Sequence, residues 1–149
     1  MSVFGALEYR SGELVTMMAP TADAVRCAAF LEQVVARWPD DHLVLVLDNA
    51  SYHKAAAVRA WFAARAARIT VVWLPTYSPQ LNLIERVWRF LKSTLASHRF
   101  WRDLDRLTAH AEAILAATRA TFAAPTYPHL RLDWPTGQDF CLAALGPVW

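Results

Sequence analysis

The 149-residue sequence predicts a single α/β domain in which helices connect the strands of a mostly parallel sheet. Two short apolar runs flanked by turn residues, at residues 43–47 and 69–74, are typical of buried parallel strands. A helical pattern lies between them, and an amphipathic helical pattern follows the second run. Because parallel strands need crossover connections, which helices supply, this order of elements predicts a parallel sheet with helices packed against it.

The elements that precede the first of these strands are a hairpin and a helix. Residues 3–9 and 13–17 are two apolar runs around a turn that contains Gly12, a pattern typical of a β-hairpin. The next helix is expected to have Thr21 as its N-cap and Asp23 in its first turn. Its buried stripe is predicted to consist of Ala24, Ala28, Leu31, Val35 and Trp38.

The second half of the chain is predicted to be mainly helical. Three further helices are expected, at residues 54–67, after Asn82 and at residues 104–122. The helix after Asn82 would bury Ile84, Val87, Trp88, Leu91 and Leu95. Residues 1–123 are thus assigned to the domain, and the proline-containing residues 124–149 to an irregular C-terminal tail that packs on or beside it, with a short helix around residues 140–145.

The composition excludes several classes of protein. With 56% hydrophobic residues the chain is not disordered, and charged residues interrupt every apolar helical pattern, so no membrane span is predicted. No secretory leader is recognised, which favours a cytoplasmic location. Cys27 and Cys141 have no metal-binding spacing and are expected to be buried thiols. A net charge of +2 permits a nucleic-acid partner without requiring one.

Two acidic residues lie directly at the ends of predicted elements. Asp48 follows the first buried strand, and Glu85 lies in the first turn of a helix. In open α/β sheets functional groups collect at the carboxyl ends of the strands, which makes both acids candidates for a site. Local alternatives remain, since Asp48 and Asn49 could be turn residues, and Asn82 and Glu85 could form a capping-box-like pair. A side chain can also cap a helix and bind a ligand at the same time.

The sequence around these acids resembles a known family. Residues 47–54 and 74–88 are similar to the two signature blocks of mariner-like insertion-sequence transposases, which belong to the DDE superfamily of endonucleases. The separation of Asp48 and Glu85 is similar to that of the second and third acids of that family. The resemblance extends more weakly over residues 3–100 and implies a ribonuclease-H-like fold. In the family a further strand precedes the hairpin, so we expect an N-terminally truncated catalytic domain whose first strand is missing.

The resemblance also implies the chemistry. Asp48 and Glu85 would be catalytic and would bind magnesium or manganese, which promotes DNA cleavage and strand transfer at transposon ends. The family's first acid lies on the missing strand, and Glu8, Glu13 and Asp23 are poor substitutes for it. The two-metal site is therefore expected to be incomplete, and this chain alone to be a poor catalyst. The alternative is a non-catalytic DNA-binding or dimerising remnant of a transposase.

Three residues near the acids are expected to orient them or the bound water. They are Asn49, His53 and Asn82. For His53, a surface position at the start of a helix is the alternative to a role in the site. A third interpretation, a small α/β enzyme acting on a nucleotide or sugar, is disfavoured because no glycine-rich phosphate loop follows a strand.

The expected partner is DNA, both transposon ends and target. The predicted DNA contacts are Tyr77, Arg86, Arg89, Lys92 and Arg99. A solvated helix face is the alternative for the basic residues, and the protein would be associated with the nucleoid when bound to DNA. The missing strand should also leave an unpaired edge on the hairpin or on the strand at residues 43–47. Such an edge predicts a homodimer or self-association.

Overall fold

The computed structural model describes residues 2–8, 12–78, 81–97, 104–122 and 140–145, which form a mixed α/β fold. The described strands are β1 (Ser2–Leu7), β2 (Leu14–Ala19), β3 (His42–Leu47), β4 (Ile69–Trp73) and β5 (Phe140–Leu145). The described helices are α1 (Ala24–Arg37), α2 (Ala56–Ala63), α3 (Ile84–Ser97) and α4 (Leu104–Phe122). Over these ranges no helix is both long and apolar enough to cross a membrane.

The described strands form a hairpin and a three-stranded parallel sheet. β1 and β2 pair antiparallel, and β3 pairs in parallel with β4 on one side and with β5 on the other. The order in the second sheet is β4-β3-β5. β5 also lies beside β1, so it stands between the hairpin and β3.

Side chains from the strands enter two apolar clusters on opposite faces. Successive residues of a strand point to opposite faces, and Phe4 and Ala6 of β1 join one cluster whereas Val3 and Leu7 join the other. The first cluster contains residues of α1, α2 and β3, including Phe30, Leu31, Val34, Val58, Leu43, Leu45 and Leu47. The second contains the predicted stripe of α3 together with residues of α4. Helices thus cover both faces, with α1 and α2 on one side and α3 and α4 on the other.

The stripe predicted for α3 is confirmed, because Ile84, Val87, Trp88, Leu91 and Leu95 are all buried. α3 approaches the hairpin closely at Gly5 of β1. A Cβ atom at Gly5 would lie 2.4 Å from Cη2 of Trp88, so the absence of a side chain is what allows the indole to fit. The bounds predicted for α4 are confirmed as well.

The predicted start of α1 is wrong. The N-cap is Asp23, whose Oδ1 accepts a hydrogen bond from the Arg26 backbone amide at 2.9 Å. Thr21 instead donates its hydroxyl to Oδ2 of Asp23 at 2.9 Å. The buried residues of α1 are Cys27, Phe30, Leu31 and Val34, and of the predicted stripe only Leu31 is among them. Ala24, Val35 and Trp38 of the predicted stripe are partly buried and pack against the same cluster. The buried face is therefore rotated only slightly from the predicted one.

Strand β4 is not buried as predicted. Ile69 is buried, but Val72 is exposed and the side chain of Trp73 is 41% exposed. β4 has β3 as its neighbour on one side, and within the described residues it forms the edge of its sheet. An edge strand is covered less completely than a central one, which accounts for the difference.

The C-terminal segment also departs from the prediction. Residues 140–145 form strand β5, so the expected short helix is wrong; pairing with the distant β3 outweighs the local pattern. β3 is therefore paired on both sides, and the unpaired edge expected there is wrong too. The rest of the predicted tail, residues 124–139 and 146–149, lies outside the described residues.

Candidate active site

Asp48 lies directly after β3 and its carboxylate is held through one oxygen. Oδ1 accepts a hydrogen bond from the Ala50 backbone amide at 3.0 Å and lies 2.9 Å from Nδ1 of His53. No hydrogen bond to Oδ2 is found among the described residues, and the side chain is 33% exposed. One oxygen of Asp48 thus orients the group, and the other remains available to a ligand.

His53 is the main partner of Asp48. Its side chain is 1% exposed, so the surface position considered from the sequence is wrong. Nδ1 lies 2.9 Å from the Asp48 carboxylate and 3.3 Å from the Asp48 carbonyl oxygen, and these two acceptors place the ring proton on Nδ1. The ring packs against Tyr52 with 4.5 Å between centroids. His53 is therefore a buried hydrogen-bond donor that fixes the orientation of the Asp48 carboxylate.

The pKa of Asp48 is set by two opposing influences. Burial is the larger single influence and raises the pKa. The hydrogen bonds from His53 and the Ala50 amide, together with the charge of His53, outweigh it and hold the pKa below its ordinary value. Asp48 is therefore ionised at neutral pH, as a cation ligand must be.

Glu85 lies in the first turn of α3 and is partly buried. Burial raises its pKa most, and the charge of Asp48 raises it further, whereas Lys92 and Arg89 lower it. Because each of these charges acts on Glu85, the two acids and the two basic side chains share one corner of the molecule. The structure thus brings together the two acids that sequence analysis singled out, although their role as metal ligands stays a prediction.

Asn49 makes a different contact from the one predicted. Its Nδ2 donates a 2.7 Å hydrogen bond to the Leu74 carbonyl oxygen, and the described residues show no hydrogen bond from it to Asp48. The Leu74 amide in turn donates to the Leu47 carbonyl oxygen at 2.9 Å. The Asn49 side chain therefore links the residues that follow β3 to the residues that follow β4 by a hydrogen bond. Its effect on Asp48 is to hold the loop in place.

Asn82, the third predicted partner, is buried at the start of α3. Its carbonyl oxygen accepts a 3.1 Å hydrogen bond from the Glu85 amide, so it belongs to the turn that begins the helix. This backbone contact fixes the direction in which α3 leaves the loop. It thereby fixes where Glu85 is presented.

Two residues near Asp48, Tyr52 and Cys27, were not predicted as part of the site. The Tyr52 hydroxyl is buried and finds no hydrogen-bond partner among the described residues, and its pKa is raised by burial and by Asp48, Cys27 and Glu85. Cys27 of α1 is buried, and burial followed by the charges of Asp48 and Asp23 raises its pKa to about 12. Cys27 was predicted to be a buried thiol, but its proximity to Asp48 is a tertiary feature. Apart from the position of Tyr52 inside the first signature block, no local signal marks either residue.

The predicted DNA contacts are distributed around this corner. Tyr77 is 96% exposed, with a backbone φ of 60°, in the loop between β4 and α3. Arg89 and Lys92 are exposed on α3, and Arg86 is partly buried. Arg99 lies outside the described residues. The exposed Arg89 and Lys92 thus lie on the same helix as Glu85, and both lower its pKa.

Trp73 is a further exposed residue near the loop that follows Asp48. As part of a predicted buried strand it was expected in the core, but it is the last residue of β4 and is partly exposed. Nζ of Lys54 stands 5.8 Å from the centroid of its ring, a cation–π arrangement. An aromatic face and an ammonium group are thus presented together at the end of β4, where Trp73 is the register partner of Leu47.

The donor set of the corner consists of carboxylates. Within the described ranges no group of three or more His, Cys, Asp or Glu side chains is placed to hold a metal ion. Asp48 and Glu85 are hard oxygen donors of like charge, and the charge of one raises the pKa of the other. A divalent cation between them would relieve that repulsion, which is the arrangement that magnesium and manganese favour.

Comparison with known proteins gives three matches. A family model described as DDE superfamily endonuclease matches residues 1–108. An uncharacterized protein of Sinorhizobium fredii, y4pE/y4sA, is 32% identical over 110 residues, which are 72% of this chain and 77% of that protein. An uncharacterized 39 kDa protein of insertion element IS630 from Shigella sonnei is 26% identical over 76 residues, 48% of this chain and 22% of that protein. The residues matched by the family model contain both acids and end before β5.

Proposed function

The chain belongs to the DDE superfamily of endonucleases, and from this premise we propose that it is the catalytic domain of a DNA transposase. Its proposed reaction is the cleavage of phosphodiester bonds at transposon ends followed by strand transfer. The observation that carries the proposal is the pair of acids at one corner, where the charge of Asp48 raises the pKa of Glu85. β3 and α3 present these acids from rigid elements, which suits a site that needs defined geometry.

Asp48 and Glu85 are the residues that would hold magnesium or manganese. A cation bound there would supply positive charge for the oxygens of the phosphodiester during in-line displacement. His53 and the Ala50 amide orient Asp48 through Oδ1, which would leave Oδ2 available to a cation. His53 is thus a positioning residue, which acts on the site through its contact with Asp48.

The basic residues of α3 would position the DNA. Arg89 and Lys92 are exposed on the helix that carries Glu85, and contacts to phosphates place a duplex without reading its sequence. Tyr77, Arg86 and Arg99 complete the proposed contact set. Binding should therefore weaken steeply as the salt concentration rises.

We further propose that the fold is ribonuclease-H-like and that the chain alone cleaves DNA slowly. The parallel pairing of β3 with its neighbours and the adjacent hairpin support the fold. Slow cleavage is expected because Asp48 and Glu85 supply two of the three acids that the resemblance implies. With fewer carboxylates the affinity for a divalent cation falls.

The experiment measures Mn²⁺ binding by calorimetry and cleavage of a labelled duplex taken from the DNA that flanks the gene. Asp48→Ala and Glu85→Ala are expected to abolish Mn²⁺ binding, and the matched control Asp40→Ala, an exposed acid in the turn before β3, should bind as wild type does. Equal Mn²⁺ binding by wild type and Asp48→Ala would refute the proposal. Binding of the duplex with no cleavage at any Mn²⁺ concentration would favour the non-catalytic remnant.

A further inference from the structure

Strand β5 has an unusual place in this fold. It is the last described strand of the chain, yet it stands between the hairpin and β3. All six of its residues, Phe140–Leu145, are in register with His42–Leu47. β5 is hydrogen-bonded to β3, and it packs beside β1 of the hairpin, which is a separate two-stranded sheet. β5 therefore fills the space between the hairpin and β3.

The register places β5 next to the acids. Leu43, Leu45 and Leu47 join the cluster on the α1 and α2 face, so Val44 and Val46 occupy the opposite face, where α3 lies. Asp48 follows directly after β3, and its charge acts on Glu85 of α3. The register partner of Val46 is Ala144 of β5. Residue 144 is thus on the strand next to Asp48 and on the face that carries Glu85.

We propose that β5 lines the corner that holds Asp48 and Glu85, and that residue 144 of β5 occupies the position where a third carboxylate could bind the same cation. In this chain residue 144 is alanine. Because alanine cannot bind a cation, its presence at position 144 limits the affinity of the corner for divalent cations. An aspartate at position 144 would complete a site with three carboxylates. This inference rests on the proposed function for the role of the metal. Its geometric part, the position of residue 144, does not depend on the metal.

The geometric part is tested by crosslinking in the full chain. A short thiol–thiol reagent should join the two introduced cysteines of the double variant Val46→Cys/Ala144→Cys within one molecule, because these positions are register partners. The single variants are the controls, and they also reveal any reaction with native cysteines. Failure of the double variant to crosslink would overturn the inference.

The functional part compares Ala144→Asp with the matched control Ala144→Asn, which has the same size and no charge. We expect Ala144→Asp to raise Mn²⁺ affinity at least about tenfold above wild type, and Ala144→Asn to leave it unchanged. Without metal, Ala144→Asp should lose stability relative to Ala144→Asn as the pH rises from about 4 to 7, because three like charges then share the corner.

The possible results separate the inference from the proposed function. If wild type and Ala144→Asp both fail to bind Mn²⁺, while the crosslink forms and the pH effect is seen, the metal role fails and the position of residue 144 stands. If wild type binds Mn²⁺ through Asp48 and Ala144→Asp binds no tighter, residue 144 is not at the corner. Equal pH profiles for Ala144→Asp and Ala144→Asn would likewise overturn the inference.

Discussion

Substitution of Gly5 by alanine should loosen the helix that carries Glu85. A Cβ atom at Gly5 would lie 2.4 Å from Cη2 and 2.6 Å from Cζ2 of Trp88. Carbon atoms in contact are separated by about 3.5–4.0 Å, so the overlap is roughly 1 Å or more at two atoms. Trp88 is 1% exposed and lies in the cluster that binds α3 to β1, so it has little room to move.

The size of the effect follows from two opposing terms. Overpacking of a filled core costs about 1–3 kcal/mol. Replacement of a strand glycine by alanine otherwise stabilises a protein by roughly 0.5–1 kcal/mol, because alanine loses less backbone entropy on folding. Gly5→Ala should therefore lower the free energy of unfolding by about 1 kcal/mol, and by about 2.5 kcal/mol at most. If α3 shifts to relieve the overlap, Glu85 moves relative to Asp48 and Mn²⁺ binding weakens as well.

The assay is urea unfolding of a double-mutant cycle with Trp88→Phe. Phenylalanine lacks the outer ring atoms that overlap, and the indole Nε1 is buried without a hydrogen-bond partner among the described residues, so Trp88→Phe breaks no such bond. In the Trp88→Phe background Gly5→Ala should no longer destabilise the protein and should stabilise it by up to roughly 1 kcal/mol. A destabilisation of the same size in both backgrounds would show that the overlap is not the cause.

Four further predictions concern the site and its support. The raised pKa of Glu85 means that its ionisation costs stability as the pH rises through the carboxyl range, so Glu85→Gln without metal should unfold at higher urea than wild type at pH 7. The lowered pKa of Asp48 contributes stability above pH about 4 that is lost as the pH falls through the folded-state pKa, and Asp48→Asn should flatten the acid side of the stability profile. Asn49→Ala removes the hydrogen bond to Leu74 and should cost about 1 kcal/mol in the same unfolding assay, whereas an unchanged urea midpoint would show that water replaces this bond. Cys27 should resist alkylation at pH 8 until the protein unfolds, as measured by mass spectrometry of its peptide, and fast labelling of the native protein would contradict its raised pKa.

Much of the element order could be predicted from local patterns. The hairpin, β3, α3 and α4 were found because periods of two and 3.6 residues and turn residues are properties of short stretches of sequence. The stripe of α3 was right in every residue, because large apolar side chains define that face strongly. The buried residues of α1 differ from the predicted stripe, and its cap at Asp23 was assigned to Thr21, since both residues are good N-caps.

In the candidate site, too, some features could be predicted from local sequence and others depended on the tertiary structure. The sequence alone determined that Asp48 and Glu85 stand at the ends of a strand and a helix, because those positions follow from local element boundaries. The burial of His53, the contact of Asn49 with Leu74 and the place of β5 beside β3 were decided by the tertiary structure. Each of these depends on which distant segments come together, and that is a balance of packing and pairing over the whole chain. A period or a motif in one stretch carries no information about that balance.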